Sequence, residues 1–506
     1  KGGLWQSVEL AFVPELYIET MLVNPVLKDS AIRVDYTIDN RSGREFKGEL
    51  SLTVTTALKR DPNKTAGNLS LPVSLKPGVN TGTASVKLAD PVKWSPENPF
   101  LYYLSATLAD GGKVVSGAVE RFGYRDFKIV DGKFHLNGER IYLFGENIRS
   151  VDFGGRGTTP AEDAANLRKY MNGFKRQGVN IIRNAHLPIL PAALEIADEC
   201  GMMIFNEWAW SFTTHLDVPE FEKHNIPELR EFVEATYNHP SVAMWSLGNE
   251  VVHSNRPEIA RQMDLQVETV RAMDRQKRPI STFSGQAGWG SYGRTKLDTD
   301  VYDLHTYVAL SRPWTERDKE ADFIYKGLLE IFGGRNGRLE KPLIAWENVG
   351  FSWGFHDASN KNANFKRNDI DEYMKYVNRE YNWGQPCGIG FTGCMSLAEA
   401  VDPAVRQDVP MSRYGRRIFE LYRLDRRFTG FAPWFSDPTL KTATLWNQPV
   451  LPTLRNPAGL PPRNLFSGGT TAWNLEIVNN SNRAYRSLTL EVALAGPDGK
   501  TVPVAS

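Results

Sequence analysis

The sequence predicts a multidomain protein with a central (β/α)8 TIM barrel, an immunoglobulin-like β-sandwich before it and the start of a second β-sandwich after it. Three observations support this prediction. Residues 15–124 alternate apolar and polar positions, residues from about 140 alternate short apolar strands with longer amphipathic helices, and the period of two returns after about residue 470. The length of 506 residues also fits three or four domains at roughly 150 residues each.

The first and last parts of the chain carry strand patterns. Four β-branched segments alternate most clearly in the first part, at 31–38, 49–54, 83–88 and 101–108, with Gly, Pro and Asn turns between them. Several short alternating strands within about a hundred residues are typical of a β-sandwich. After about residue 430 the chain is proline-rich and irregular, and two further alternating segments, 472–480 and 488–494, predict the start of another sandwich.

The pattern in the middle of the chain predicts the barrel, because a TIM barrel consists of eight β/α units and about 300 residues are enough to form them. The strand candidates are 141–145, 179–184, 202–207, 242–250, 279–285, 302–307, 342–347 and 388–393, and the clearest helices are 161–177, 191–200 and 369–381. The alternative, a doubly wound open sheet, usually carries a glycine-rich phosphate loop after its first strand. Gly145-Glu146-Asn147 does not have that pattern.

The composition argues against several classes of function. Lys and Arg number 60 against 59 Asp and Glu, and the net charge of +1 argues against a nucleic acid or an anionic membrane as the main partner. No apolar run approaches the roughly 18 residues that span a bilayer. The three cysteines are too few and too scattered for a disulfide framework or a zinc site. The 13 Trp, 18 Tyr and 25 Phe residues suit a core, or a site that stacks on the flat faces of sugar rings.

Three predicted barrel strands end on a carboxylate: Glu207, Glu250 and Glu347. The C-terminal ends of the strands form the functional face of a TIM barrel, so these side chains are expected at one rim. Two carboxylates in one mouth are the minimum equipment for glycoside hydrolysis, in which one attacks the anomeric carbon and the other protonates the leaving oxygen and later activates water. The structural alternative is that each acid caps a strand or pairs with an arginine.

Two motifs resemble those of glycoside hydrolase family 2, the family of β-galactosidases, β-glucuronidases and β-mannosidases. Residues 239–250, His-Pro-Ser-Val-Ala-Met-Trp-Ser-Leu-Gly-Asn-Glu, resemble its acid/base signature on strand four, and residues 341–348, Lys-Pro-Leu-Ile-Ala-Trp-Glu-Asn, resemble its nucleophile segment on strand seven. The resemblance implies that Glu250 is the acid/base, that Asn249 hydrogen-bonds the substrate 2-hydroxyl and that Glu347 is the nucleophile. The two glutamates are 97 residues apart, which fits three β/α units.

The resemblance extends over nearly the whole chain and implies four parts. Residues 1–14 look like the last strand of the family's N-terminal jelly-roll sugar-binding domain, most of which is then missing. The immunoglobulin-like sandwich is expected over 15–124 and the catalytic barrel over 125–430. A linker and the start of a C-terminal sandwich are expected over 431–506.

The resemblance also implies further side chains at the site. Residues 178–186 are similar to the family's strand two, whose Arg183 and His186 face the substrate, and Arg183 beside the nucleophile favours its carboxylate form. His305 and Tyr307 end strand six, where a tyrosine often contacts the nucleophile. For Arg183 and the histidines, a structural ion pair or a satisfied core position is the alternative. The remaining predicted substrate contacts are Arg149, Glu207 and Trp346.

Several positions depart from the family pattern. Asn147-Ile148-Arg149 stands where the family often has Asn-Arg-His, so Arg149 together with Arg156 can hold a carboxylate or sulfate on the sugar, although solvated loop arginines are the commoner case. The positions of the magnesium ligands of the large bacterial galactosidase are Trp210 and Phe212, so no metal and no other cofactor is expected. The Asn-x-Lys pair that reads the uronate in β-glucuronidases is not recognisable.

The predicted strand eight also departs from the family. Residues 388–396 lack the tryptophan that usually forms the floor of the sugar pocket. A tryptophan from elsewhere could replace it by stacking on the sugar. The candidates are Trp208, Trp210, Trp346, Trp353 and Trp383.

The sequence therefore predicts a retaining exo-β-glycosidase, similar to β-galactosidases, that cleaves terminal β-linked sugars of oligosaccharides or polysaccharide-derived glycans through a covalent glycosyl-enzyme. Two alternatives remain: a hydrolase of acidic or sulfated sugars, similar to β-glucuronidases or galacturonidases, and a non-catalytic carbohydrate-binding scaffold. No nucleic-acid or membrane partner is expected, and homo-oligomerisation is left open. A periplasmic or extracellular location is slightly favoured over a cytoplasmic one.

Overall fold

The computed structural model describes residues 10–57, 62–148, 159–212, 219–287, 298–305, 317–347, 416–433, 444, 446–455, 470, 472–495 and 500–505. These residues form a β-sandwich, a parallel barrel and short C-terminal antiparallel strands. None of the helices in these ranges is both long and apolar enough to cross a lipid bilayer.

Two antiparallel sheets form the sandwich, one with the order β1-β2-β5 and the other with the order β4-β3-β6-β7. The strands are β1 (Leu16–Val26), β2 (Ala31–Asn40), β3 (Phe46–Ala57), β4 (Pro62–Leu75), β5 (Gly78–Lys87), β6 (Tyr102–Asp110) and β7 (Lys113–Phe122). Because side chains alternate across a strand, Ile32 and Val34 of β2 and Leu50 and Leu52 of β3 are buried in the core between the sheets. The predicted β-sandwich is confirmed.

A small hairpin sheet covers the N-terminal end of the barrel. It consists of β8 (Phe127–Val130), β9 (Lys133–Leu136) and β10 (Glu139–Arg140). Phe127 and Phe134 stack with ring centroids 5.7 Å apart, and they pack in one buried cluster with Leu143 and Ile344 of the barrel. Apolar side chains therefore fill this end, and polar groups are left to the opposite end.

Eight parallel strands form a nearly closed barrel with the order β15-β14-β13-β12-β11-β18-β17-β16. The strands are β11 (Leu143–Ile148), β12 (Ile181–Asn184), β13 (Met203–Glu207), β14 (Val242–Ser246), β15 (Ile280–Ser281), β16 (Tyr302–His305), β17 (Leu343–Glu347) and β18 (Phe428–Phe431). The helices are α1 (Pro160–Arg176), α2 (Pro191–Cys200), α3 (Pro219–Thr236), α4 (Pro257–Met273), α5 (Arg317–Phe332) and α6 (Arg416–Leu424). Asp300 N–H donates to Ile280 O at 2.7 Å and so links β15 to the segment before β16. The predicted barrel is confirmed.

The eighth strand differs from the prediction. The strand between β17 and β11 is β18, whereas residues 388–393 and the predicted helix 369–381 lie outside the described residues. The Thr429 hydroxyl donates to Leu343 O at 3.0 Å, and Asn147 N–H donates to Pro433 O at 3.2 Å. These bonds hold β18 and the residues after it against both neighbours, so the assignment of strand eight to 388–393 is wrong.

Local sequence signals set the ends of the first two barrel helices. The Thr159 side chain accepts from Glu162 N–H, and the Glu162 carboxylate accepts from Thr159 N–H, each at 3.2 Å. This capping box, with Pro160 as the first helical residue, fixes the start of α1. Gly201 ends α2 with φ 71°, a left-handed conformation that favours glycine, and the chain then enters β13.

Arg125 connects the sandwich to the strand that leads to Glu250. Its guanidinium is buried and donates to Pro240 O at 3.0 Å and Val242 O at 2.5 Å. Val242 is the first residue of β14, so the bonds position the start of that strand. Burial, followed by the nearby charge of Arg278, lowers the pKa of Arg125 to about 9.

Arg125→Ala is expected to lower the free energy of unfolding by about 2–4 kcal/mol, because two buried carbonyls lose their charged donor. Urea unfolding at neutral pH measures the change. Arg41→Ala is the matched control, since Arg41 is exposed and pairs with Asp39 on the sandwich surface, and its midpoint should not move. Equal midpoints for both variants would contradict the role of Arg125 as a structural connection.

The C-terminal strands form two antiparallel pairs, β19 (Val450–Arg455) with β20 (Asn474–Asn479), and β21 (Val492–Ala495) with β22 (Thr501–Ala505). β20 and β21 overlap the two segments predicted from the alternating pattern. Arg423 of α6 connects β19 and β20 to the barrel, because its guanidinium donates to Trp446 O at 2.6 Å, Pro449 O at 3.1 Å and Asn480 Oδ1 at 2.8 Å.

Candidate active site

Polar side chains from several strands meet at the C-terminal rim of the barrel. The strands are mostly apolar and buried, and these polar groups lie near or just after their C-terminal ends. Because all eight strands are parallel, their C-terminal ends lie at one rim. The residues that meet there are Asn147, Arg183, Glu207, Asn249, Glu250, His305 and Glu347.

Arg183 lies at the centre of this group and is fully buried. Its Nε and Nη2 donate to the two carboxylate oxygens of Glu207 at 2.5 and 2.9 Å. Its Nη1 donates to Glu347 Oε1 at 2.7 Å, and Nη2 also donates to Asn249 Oδ1 at 2.6 Å. One guanidinium therefore connects four of the eight barrel strands at their C-terminal ends. These are the second, third, fourth and seventh barrel strands, β12, β13, β14 and β17.

The electrostatics of Arg183 keep it charged. Burial alone would lower the pKa of the guanidinium, but the carboxylates of Glu207 and Glu347 outweigh burial and raise the pKa above its ordinary value. The fixed positive charge in turn favours the carboxylate form of Glu347. The contact between Arg183 and Glu347 that the sequence analysis predicted is present.

Asn147 connects Arg183 to the seventh barrel strand, β17, and to the segment after the eighth, β18. Its Oδ1 accepts from Arg183 Nη1 at 3.2 Å. Its Nδ2 donates to Trp346 O at 2.6 Å and to Pro433 O at 2.9 Å. The Trp346 carbonyl and the Glu347 carboxylate are therefore both hydrogen-bonded to the connected pair Asn147 and Arg183.

Glu250 lies just after strand four and contacts a different partner. His305 Nδ1 lies 2.6 Å from Glu250 Oε1 and 3.6 Å from Glu347 Oε2. Glu250 N–H donates to Ser284 O at 2.9 Å, and the residue has φ 44°, in the left-handed region that non-glycine residues seldom occupy. Such backbone strain is concentrated at functional sites, where the surrounding contacts hold it in place.

The two catalytic candidates are close together and only slightly exposed. One side-chain atom each of Glu250, His305 and Glu347 lies within 4.8 Å of the others. The Glu250 side chain is 12% exposed and the Glu347 side chain 5%. Glu347 thus faces a permanent cation and Glu250 an imidazole, so the two carboxyl groups have different electrostatic environments.

The same three side chains have the chemistry of metal ligands, but Arg183 makes a cation there unfavourable. The guanidinium donates to Glu347 at 2.7 Å and would repel a metal ion bound to that carboxylate. We therefore assign no metal to this cluster.

Most predicted site residues lie at this rim. Arg183, Asn249, His305 and the two catalytic glutamates form the cluster just described, and His186 Nδ1 lies 3.2 Å from Arg183 Nη2. Glu207 and Trp346 are fully buried: Glu207 faces Arg183, and Trp346 packs edge-on against Phe205 with ring centroids 5.4 Å apart. Substrate-binding roles for these residues stay predictions. Arg149, Arg156, Tyr307, Trp353 and Trp383 lie outside the described residues.

Three residues of the site are not predictable from the motifs of the sequence. Ser284 and Asp303 extend the contacts of His305 into the barrel, and no motif marks them. Phe212 is 42% exposed beside His186, with ring centroids 5.3 Å apart, and presents an apolar face at the rim. The sequence does contain a signal for Phe212, because it is an aromatic residue two positions after Trp210. The sequence interpretation treated this position only as that of a possible metal ligand and not as a sugar contact.

The position of strand eight determines which tryptophan follows it in the sequence. Trp208 packs on Phe232 and Trp210 on Phe221, so both belong to the packing around α3. After β18 the described chain continues through Ala432 and Pro433, and the next residue in the sequence is Trp434, which lies outside the described residues. Trp434 thus follows the true strand eight, where the family pattern expects a tryptophan.

Comparison with known proteins supports this architecture. A family model described as glycosyl hydrolases family 2, TIM barrel domain, matches residues 127–375, and one described as glycosyl hydrolases family 2 matches residues 12–125. The β-galactosidase BgaC of Bifidobacterium adolescentis is 25% identical over an alignment 393 residues long, which covers 71% of this chain and 35% of that protein. The chain spans about a third or less of the length of the curated relatives that it matches.

Solved structures share the fold. A β-galacturonidase from Eisenbergiella tayi, bound to galacturonate, has a TM-score of 0.60 and 18% identity and covers 83% of this chain and 65% of its own. A family 2 member from Bacteroides cellulosilyticus has a TM-score of 0.59 and 18% identity and covers 87% of this chain and 51% of its own. The two family matches together span more than two thirds of the sequence, and the chain belongs to glycoside hydrolase family 2.

Proposed function

We propose that the protein is a retaining exo-β-glycosidase that hydrolyses terminal β-linked sugars of glycans, with Glu347 as the nucleophile and Glu250 as the acid/base. One observation carries the proposal: side-chain atoms of the two glutamates lie within 4.8 Å of each other. Retaining glycosidases hold their carboxyl groups roughly 5–5.5 Å apart, whereas inverting enzymes need about 6.5–9.5 Å to admit a water.

The first step divides the work between the two environments. Glu347, ionised beside Arg183, attacks the anomeric carbon while the bond to the aglycone oxygen breaks. Glu250 gives its proton to that oxygen, so the aglycone leaves as an alcohol and Glu347 becomes a glycosyl ester. Glu250 is left as a carboxylate beside the uncharged ester.

The second step reverses the roles. Glu250, now anionic, takes a proton from water as the water oxygen attacks the anomeric carbon, and Glu347 leaves as a carboxylate. Both groups return to their starting protonation states. Because each step inverts the anomeric centre, the product keeps the configuration of the substrate.

Asn249 is placed to recognise the sugar. Its Oδ1 accepts from Arg183, and its Nδ2 is buried and has no hydrogen-bond partner among the described residues. An unused buried donor costs free energy until a ligand oxygen accepts from it. A sugar hydroxyl beside Glu250 would complete this bond, in agreement with the 2-hydroxyl role that the family resemblance implies.

A panel of aryl β-glycosides tests the proposal: galactoside, glucuronide, galacturonide, mannoside and glucosaminide, assayed with the full-length protein. We expect turnover of one member with retained configuration by proton NMR. Glu250→Ala should then lower kcat/KM by about 10³-fold for an aglycone that needs protonation and far less for an acidic phenol, because general acid catalysis contributes about 10²–10⁴-fold.

Added azide provides the control, since it can attack the glycosyl-enzyme without a general base. We expect azide to accelerate Glu250→Ala and to leave the wild type unchanged. Equal losses for good and poor leaving groups, or an inverted product, would contradict the proposal.

The charge of the sugar is a separate question for the same panel. Arg149 is the residue that the sequence offers for an acidic group, and the galacturonate complex of a structural relative justifies the uronides in the panel. If a uronide is the substrate, Arg149→Ala should lower kcat/KM for the uronide more than for the matching neutral glycoside. If Arg149→Ala lowers kcat/KM equally for the uronide and the neutral glycoside, residues other than Arg149 recognise the carboxylate of the sugar.

A further inference from the structure

A hydrogen-bonded chain leads from Glu250 into the barrel interior. His305 Nδ1 lies 2.6 Å from Glu250 Oε1, and His305 Nε2 lies 2.9 Å from the Ser284 hydroxyl. That hydroxyl lies 2.6 Å from Asp303 Oδ2. Four side chains therefore form one continuous path. Glu250 follows β14, Ser284 follows β15, and Asp303 and His305 belong to β16.

The donors and acceptors along this path fix the direction of each bond. An ionised Asp303 can only accept, so the Ser284 hydroxyl donates to it, and the Ser284 oxygen accepts from Nε2–H of His305. The neutral ring then turns the lone pair of Nδ1 toward Glu250. The short contact between Nδ1 and Glu250 Oε1 holds one shared proton, which resides either on the carboxyl or on the ring.

Asp303 is an unusual residue to bury for a structural purpose. It is 0% exposed, and its second carboxylate oxygen, Oδ1, has no hydrogen-bond partner among the described residues. Burying an unsatisfied charge costs several kcal/mol, and groups of this kind are concentrated at functional sites. Burial raises the pKa of Asp303 to about 6, against the opposing charges of His305 and Arg183. The charges of His305 and Arg183 and the hydrogen bond from Ser284 favour the ionised form of Asp303.

The loop after β15 packs against this path. Gly285 has φ 88°, and a Cβ on it would come within 2.8 Å of His305 Nδ1, so only glycine lets the loop pack against the ring. Gln286 Oε1 accepts from Asp303 N–H at 3.0 Å, and Gln286 Nε2 donates to Thr299 Oγ1 at 3.2 Å. The loop and strand six are thus fixed relative to each other.

We propose that Asp303, acting through Ser284 and His305, retains on the Glu250–His305 pair the proton that Glu250 donates to the leaving group. The inference rests on the proposed function, since it concerns the same acid/base. The proton leaves the pair when the aglycone oxygen takes it and returns when water gives it up, so the pair ends each turnover as it began. Asp303 and Ser284 are positioning residues.

The charged groups around His305 determine how strongly the Glu250–His305 pair holds its proton. Glu250 and Glu347 face the ring from the ends of strands four and seven, Asp303 acts from its own strand, and Arg183 lies beyond Glu347. Burial alone would lower the pKa of His305, but the three carboxylates outweigh burial and raise it. Removing the charge of Asp303 must therefore weaken the hold of the pair on its proton, so the proton is lost at lower pH.

The pH dependence of kcat/KM tests this inference in the full-length protein, with the aryl glycoside that the panel identifies. Asp303→Asn should move the basic limb to lower pH by about one unit, which is a tenfold weaker hold on the proton. Ser284→Ala should shift the basic limb in the same direction by less, because it breaks the path and keeps the charge. A uniform loss at all pH values, with an unmoved limb, would overturn the inference.

A second measurement needs no substrate. Nitrogen-15 NMR of the histidine rings, with His305→Asn to assign the signal among the eight histidines, should show His305 protonated on Nε2 and titrating at lower pH in Asp303→Asn. If the wild type hydrolyses no member of the panel, the proposed function fails and the inference fails with it. If it hydrolyses one, but Asp303→Asn moves neither the basic limb nor the His305 titration, the inference alone fails.

Discussion

Glu347→Gln is expected to lower kcat/KM by about 10⁵-fold or more, which is about 7 kcal/mol at 1.36 kcal/mol per tenfold. A glutamine amide cannot form the glycosyl ester, and loss of the nucleophile removes the whole covalent route. The substitution keeps the side-chain size, and the amide oxygen can still accept from Arg183 Nη1, which lies 2.7 Å from Glu347 Oε1. The midpoint of thermal unfolding should therefore change little.

A trapping experiment identifies the attacking residue directly. An activated aryl glycoside with fluorine at C2, of the sugar that the panel identifies, slows the second step and lets the glycosyl-enzyme accumulate. Peptide mass mapping should place the sugar on Glu347 in the wild type and find no adduct in Glu347→Gln. An adduct on another residue, or a Glu347→Gln variant with activity close to that of the wild type, would contradict the assignment of the nucleophile.

The fold class follows from local patterns, but strand eight shows where such patterns stop. Gly390-Phe391-Thr392-Gly393 and Phe428-Thr429-Gly430-Phe431 both place Phe-Thr-Gly in a short apolar run. Strand eight is the segment that pairs with strands one and seven, and this pairing depends on contacts across the barrel. The bond from the Thr429 hydroxyl to Leu343 O is one of them, and it joins residues 86 positions apart. The local sequence of the two segments therefore does not show which of them pairs with β11 and β17.

The site divides in the same way. Glu347 ends an apolar strand and Glu250 follows one, so strand ends and the family motifs together predicted their positions. Ser284 and Asp303 were not predictable, because they are 19 residues apart and become neighbours only when strands five and six lie side by side. A serine and an aspartate at that spacing carry no signal in a single sequence.

Arg183→Met is expected to lower the free energy of unfolding by about 3–5 kcal/mol and to abolish activity. The guanidinium is the common partner of two carboxylates, with Glu207 0% exposed and Glu347 5% exposed. Removing one partner from a buried ion network leaves uncompensated charges, which destabilise the fold more than the intact network stabilises it. Methionine fills much of the space of the arginine stem, so the change reports mainly on charge and hydrogen bonding.

Two further variants separate charge from geometry at Arg183. Arg183→Lys keeps the positive charge but loses the planar fork that holds both oxygens of Glu207, so it should recover part of the stability and little of the activity. Arg183→Met combined with Glu207→Gln removes one charge of each sign. This double variant should recover more stability, because the buried Glu207 charge is gone, yet stay inactive, because Glu347 still lacks its donor.

Urea unfolding and kcat/KM, measured on the same samples, distinguish these outcomes. Activity in the double variant would mean that Glu347 needs no guanidinium beside it and that Arg183 has only a structural role. An Arg183→Met variant as stable as the wild type would mean that the two carboxylates are not held by the ion network around Arg183. The expected pattern, with stability restored and activity absent, would show that the arrangement that stabilises the barrel rim also holds the nucleophile ionised and in position.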